Sequence, residues 1–302
     1  MYYFIFRLAV LTLMTPLILL YAIAELPLKP GRAPYAIQNT NYNCDAFINS
    51  LTTSKPKEIR YAWLYHTFNN HPSGDGLDCV RKINALPNTS IMQVHLINEV
   101  CQRNRNCGDY ELLHGIGLKE FREGLKKRDQ AIIAKVDNYI KKSAEEILST
   151  LKENTTCLVS PSLESNLDQQ AAKVLIEITK KHFGERCKIV WNPVGNNKYG
   201  IKPIEGTIHE LHGAHPKLKA PCVADLDGVD INLPERKSFH RLGAISISSA
   251  KKFLKNYSHC EASFLWIAED NCIGPGGFKD PRSRTGCTDA RLQAEVFKIF
   301  GE

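Results

Sequence analysis

The chain has 302 residues, 24% charged and 43% hydrophobic, with a formal net charge of +7 at pH 7. That length suits one large domain. The positive charge is spread out, as in KKRDQ from 126 and the KK pairs at 141, 180 and 251, and no basic stripe is interleaved with aromatics, which argues against nucleic acid as a partner.

Residues 1–24 read as a secretory signal peptide. Arg7 is their only charge, and an apolar stretch runs from Leu8 to Ile23, broken only by Thr12, Thr15 and Pro16. Ala22-Ile23-Ala24 then has the small-x-small form of a cleavage site. An uncleaved N-terminal anchor is the alternative, since the run approaches bilayer-spanning length. That segment would then be the chain's one membrane contact. Either reading exports the body of the protein, to the medium or the periplasm. Cleavage would leave 278 residues with a net charge of +6. An α/β barrel takes about 250 residues.

Residues 25–58 form an entry segment containing proline and asparagine, and 59–302 are expected to form a single domain. Tyr61 to Phe68 reads as an aromatic-rich strand, Asn69 to Asp75 as a polar turn, and Leu77 to Leu86 as a short helix. Ile91 to Asn98 is a second strand. An insertion follows, holding Cys101, Cys107 and HGIG. Residues 119–153 carry apolar positions every three or four residues, among them Leu125, Ile132, Val136, Ile140 and Ile147, and predict an amphipathic helix with a break. Thr156 to Ser160 is a strand ended by a Pro161 turn. A helix runs from Asp168 to about Phe183, and Lys188 to Trp191 is a strand. Thr207 to Leu211 and Cys222 to Leu226 are short strands. A helix capped by Ser248 or Ser249 reaches Tyr257, and Phe264 to Ala268 is the last strand. GPGGFKDPRSRTGC is a loop, and Asp289 to Phe300 a closing helix.

Strands alternating with helices imply a parallel sheet. Seven strands are predicted where a closed barrel needs eight, and the connections at 193–205 and 212–220 read as loops. The expected fold is therefore α/β, an irregular (β/α)8 TIM-like barrel stabilised by disulfides. An open doubly wound sheet is the alternative, although no glycine-rich phosphate loop follows any strand.

Ten cysteines in an exported chain imply disulfides. Neighbour pairing gives 44–79, 101–107, 157–187, 222–260 and 272–287, one of several connectivities the sequence allows. No CxxC and no zinc-type Cys/His spacing is present. No cofactor and no metal is expected on this reading.

Four apolar runs end in carboxylates: VHLINE at Glu99, CLVSPSLE at Glu164, GTIHE at Glu210 and FLWIAE at Glu269. Strands buried on both faces read as such runs, and parallel barrels carry their chemistry at the carboxyl ends of the strands. Converging acids there suit glycosidic hydrolysis. Each acid also has a structural reading: Glu99 can pair with Arg103 one turn on, and Glu164 can favour the dipole of the helix that follows. In a strand over HELHG, Glu210 and His212 share one face, and His209 and Leu211 the other. Asn192 follows a strand, and Asp225-Leu226-Asp227-Gly228 reads as a strand end and turn.

The pair Asn98-Glu99 and the last-strand Trp266 resemble the retaining clan of (β/α)8-barrel glycoside hydrolases. There an Asn-Glu dipeptide supplies the acid/base, and a tryptophan on the eighth strand floors the sugar site. The likeness covers about residues 60 to 272. It differs in placing the dipeptide on an early strand rather than the fourth. The resemblance implies an exported hydrolase of a polysaccharide or cell-wall glycan. Glu164 is then expected as general acid/base and Glu210 as nucleophile or second carboxylate, with Glu269 as substitute. Asn98, Glu99, Asn192, His212 and Asp227 would hold sugar hydroxyls, and Trp266 would stack on the ring. Two other classes stay open. One is a non-catalytic carbohydrate-binding envelope protein. The other is a metal-dependent hydrolase or deacetylase using His209, His212 and His215.

Overall fold

The computed structural model describes residues 48, 58–65, 76–99, 111–113, 115–163, 165–193, 202–212, 221–226, 252, 255–260 and 262–265. All seven predicted strands lie in one sheet. They are β1 (Ile59–Leu64), β2 (Thr89–Asn98), β5 (Thr156–Leu163), β6 (Cys187–Trp191), β7 (Ile208–His212), β8 (Cys222–Leu226) and β9 (Ala262–Leu265), in that order across the sheet. Every neighbouring pair is parallel. Within the insertion, β3 (Glu111–Leu113) and β4 (Ile116–Gly117) pair as a separate antiparallel hairpin.

Four described helices pack on or beside the sheet: α1 (Gly76–Ala85), α2 (Leu118–Lys127), α3 (Gln130–Leu148) and α4 (Gln169–Phe183). None is long and apolar enough to cross a membrane. The long amphipathic run is two helices. Arg128 adopts φ 55°, ψ 40°, the left-handed conformation that closes α2, and its N–H reaches back to the carbonyls of Gly124 and Leu125. Asp129 then caps α3 by accepting the N–H groups of Ala131 and Ile132. Asp168 caps α4 in the same way, accepting from Ala171 N at 2.9 Å.

β5 differs from expectation. It continues through Pro161 to Leu163 rather than turning there. The ladder to β6 ends at Val159, so Pro161 falls beyond it, where a missing N–H removes no bond to that neighbour. The ladder to β2 skips the proline, pairing His95 with Ser160 and Ile97 with Ser162.

Alternation along each strand and the pairing register sort the side chains into two faces. One face, with Tyr61 and Met92, meets the helices. Asn84 of α1 accepts the Tyr61 hydroxyl at 2.7 Å and donates to the Thr150 carbonyl at 3.0 Å, so these three buried groups satisfy one another. Trp63 belongs to this face, packs edge-on against Tyr65 and is fully buried. Trp191, in register with His209, shares it. The other face carries Gln93, His95, Ile97, Leu158, Ser160, Ser162, Val190, Glu210 and Val223.

That second face is concave. In a flat sheet β2 and β7, separated by β5 and β6, would stand about 14 Å apart. Yet His95 Nε2 of β2 lies 3.7 Å from Glu210 Oε1 of β7, with both side chains fully buried. The edge strands β1 and β9 also approach within 8 Å between Cα atoms, with no ladder joining them among the described residues. The fold is thus mixed α/β, with a curled parallel sheet of seven described strands.

Among the described residues two disulfides hold it. Cys157–Cys187 joins register partners of β5 and β6, and Cys222–Cys260 ties the start of β8 to the turn before β9. Both are among the neighbour pairs expected from sequence. Each of the remaining three pairings involves a cysteine outside the described residues, where the 248–249 helix cap and the C-terminal helix also lie.

Candidate functional site

The concave face gathers polar groups toward the carboxyl ends of β2, β5 and β6. Glu99 follows β2, its amide donating to the Leu163 carbonyl at 3.3 Å. Its carboxylate has no solvent exposure. Oε1 accepts the hydroxyls of Ser162 at 2.7 Å and Ser165 at 2.8 Å, and Oε2 accepts Nε of Arg122 from α2 at 3.0 Å. Glu99 therefore ties β2, β5 and α2 together. Its cation is Arg122, 23 residues on, rather than a residue one turn away.

Asn192, just past β6, is fully buried, and its carbonyl accepts Ser165 N at 2.8 Å. A parallel bridge between Ser165 and Pro193 extends that contact. The β5 exit is thus held from two sides, by Glu99 through hydroxyls and by β6 through backbone.

Glu210 lies in mid-β7, 1% exposed. A carboxylate taken out of water needs a compensating partner, and His95 is near enough to serve. Gln93, two residues earlier on β2, places its Nε2 at 3.3 Å from His95 Nε2. His209 is fully buried but alternates with Glu210, so it belongs to the helix-facing side with Trp191. The two halves of the HELHG cluster are therefore divided between the faces of the sheet.

Of the residues expected from sequence, the structure brings Glu99, Asn192 and Glu210 to the concave side. Asn98 and His212 end β2 and β7, and their side chains lie outside the described part of the structure. Glu164, Asp227, Trp266, Glu269 and His215 lie outside the described residues altogether. Sequence reasoning passed over His95, Gln93, Arg122, Ser162 and Ser165. A signal for the first two was present: in QVHLINE, alternate positions 93, 95 and 99 are polar, placing three hydrogen-bonding groups on one strand face.

Among the described residues, one cluster has metal-ligand geometry: Cys222, His259 and Cys260. Its two sulfurs are bonded to each other, so they are not thiolate ligands.

No protein-family model matches this chain, and no curated protein matches it in sequence. Among solved structures it is similar to a mannanase of Bacillus subtilis, at 10% identity and a TM-score of 0.45, over 85% of this chain and 86% of that one. It is similar to the YdhT protein of Bacillus subtilis at 10% identity and a TM-score of 0.40, over 82% and 81%. It is also similar to a fructose-bisphosphate aldolase of Campylobacter jejuni at 11% identity and a TM-score of 0.32, over 88% and 86%. Likeness at this level carries no argument about activity, and the site rests on its own geometry.

Proposed function

We propose that the chain is an exported glycoside hydrolase acting on a polysaccharide or cell-wall glycan, built on an irregular (β/α)8 TIM-like barrel. The observation that carries this reading is Glu210, a buried carboxylate on the concave face of a curled parallel sheet with a histidine beside it. A carboxyl group removed from water has its proton affinity set by its neighbours, which acid/base hydrolysis of a glycosidic bond requires. Glu210 serves as nucleophile or second carboxylate. Glu164, between Ser162 and Ser165 in sequence, serves as general acid/base, with Glu269 as substitute. Asn192, Asn98, His212 and Asp227 hold sugar hydroxyls, and Trp266 stacks. Glu99 would hold a sugar hydroxyl at the same strand ends, beside the partly exposed Arg122 side chain. Carboxyl groups about 5 Å apart would retain anomeric configuration, and about 6.5–9.5 Å would invert it. The disulfides fit an oxidising exterior.

A second reading, a carbohydrate-binding protein without catalysis, is favoured by Glu99, a strand-end acid whose oxygens are committed to holding the fold. One experiment separates the two. The protein and its Glu164→Gln and Glu210→Gln variants are incubated with a panel of bacterial and plant polysaccharides. Product release lost in either folded variant establishes the hydrolase. Retained glycan binding with no product from any substrate assigns the binder.

A further inference from the structure

His95 Nε2 stands between two groups on the concave face, 3.3 Å from Gln93 Nε2 and 3.7 Å from Glu210 Oε1. An amide –NH2 only donates. With Gln93 so oriented, the ring nitrogen facing it holds a lone pair, the imidazole is neutral and the proton of the pair sits on Glu210. Turning the amide over leaves its shape unchanged and presents Oε1 instead. That oxygen is buried and accepts no hydrogen bond among the described residues. It then accepts from Nε2–H, and Glu210 stands as a carboxylate beside an imidazolium. Gln93 thus has a matching group for either state.

We propose that His95 and Glu210 share one proton between Nε2 and Oε1, with the Gln93 amide turning to follow it. The step is balanced: the proton leaves Nε2 for Oε1, imidazolium and carboxylate become imidazole and carboxylic acid, and the net charge is unchanged. That constancy matters because a net charge buried in the sheet is costly. The 3.7 Å separation exceeds a hydrogen bond, and closing it takes a small rotation of Glu210, as when a site tightens on its ligand. Among the described residues, four other ionisable positions or pairs fall on this face; Arg60 has Nη2 bonded to Glu58 while its Nε and Nη1 find no partner there. Glu99 is bonded to Arg122, Lys188 is near the start of β6, and the His212 and Asp225 positions are register partners in the next row beyond Glu210. His95 is therefore a positioning residue: it sets the protonation of Glu210 without touching substrate. The inference rests on the reading of Glu210 as a working carboxylate.

The test is a titration of the His95 ring by NMR in the full protein, its signal identified by its loss in His95→Gln. Replacing the charged partner in Glu210→Gln is expected to lower the His95 pKa by about one unit or more, a tenfold change in its proton affinity. In the wild type the His95 ring and the Glu210 carboxyl carbon are expected to titrate in the same steps, as coupled groups do. This second measurement holds if the variant does not fold. A His95 pKa unmoved by Glu210→Gln, or separate wild-type titrations, overturns the proposal. If hydrolysis is found, His95→Gln is expected to cut kcat at least about tenfold with KM little changed, since its effect falls on the chemical step. Coupled titration without hydrolysis of any glycan would sink the hydrolase reading and leave the shared proton standing. Hydrolysis without coupling would do the reverse.

Discussion

The hydroxyl of Ser165 donates to Glu99 Oε1 at 2.8 Å while the Ser165 amide donates to the Asn192 carbonyl, so one residue joins the ends of β2, β5 and β6. Because Glu99 is fully buried, its loss leaves two hydroxyls and a guanidinium without their acceptor. Arg122 is partly exposed and recovers water, which softens the effect. Glu99→Ala is expected to destabilise the protein by about 2–3 kcal/mol. Glu99→Gln, which keeps an oxygen for the serines, should cost about half that. Urea unfolding reads both as a lower midpoint with an unchanged slope.

Gly124 marks where α2 folds back on α3. A Cβ placed there meets Ile132 Cγ1 at 2.6 Å and its Cβ at 2.8 Å, so the clash reaches the branch point and not merely a flexible end. Gly124→Ala should therefore destabilise by about 1–3 kcal/mol through overpacking, despite the gain of about 1 kcal/mol in helix propensity. Adding Ile132→Ala should cost less than the two single changes summed. A double-mutant cycle reading additivity instead would show the helices already separated at that point.

Acid weakens the α2–α4 contact for a stated reason. Burial opposes ionisation of Asp168, but the Ala171 amide and the Lys126 ammonium outweigh it and hold its carboxyl below the ordinary range. A lowered folded pKa means stability that is full above the unfolded value, near 3.9, and is lost as pH falls through the folded one. Asp168→Ala should cost about 1 kcal/mol at pH 7 as a lost helix cap. The gap from wild type should narrow as pH falls below the unfolded value and through the lowered folded one. Asp137 behaves alike: burial opposes its charge, and Lys181 and His182 outweigh that. Thermal melts of Asp168→Ala and Asp137→Ala across pH 2–7 check the sign.

The two disulfides close segments of similar length, with separations of 30 and 38 residues. On the chain-entropy account each contributes about 3–4 kcal/mol. Paired Cys→Ala replacement of either bridge should therefore lower stability comparably. A much smaller loss for one pair would place residual structure in its unfolded segment.

What was legible in the sequence is local. Each of the seven sheet strands reads as an apolar run, the short β3–β4 hairpin of the insertion does not, and the α2–α3 break sits at Arg128-Asp129, where a cap residue interrupts the periodicity. Pro161 misled because a proline's effect depends on which neighbour the strand has already left, and register is not a local property. The site was legible only by halves. Glu210 could be picked out as a strand acid, but His95 could not be matched to it, because the curl that brings them together acts across two intervening strands. Glu99 shows the same limit: its cation lies on a helix beyond the insertion rather than at helical spacing.

The Cys157–Cys187 bridge has a consequence for the chain's survival under attack. It encloses β5 from its second residue, all of α4 and the first residue of β6, a whole strand–helix–strand crossover. A protease that cuts anywhere in 158–186 opens a ring rather than splitting the molecule. Both fragments stay tethered beside the sheet they came from. For a protein facing hydrolytic enzymes, a severed backbone in this segment would be a scar and not a loss.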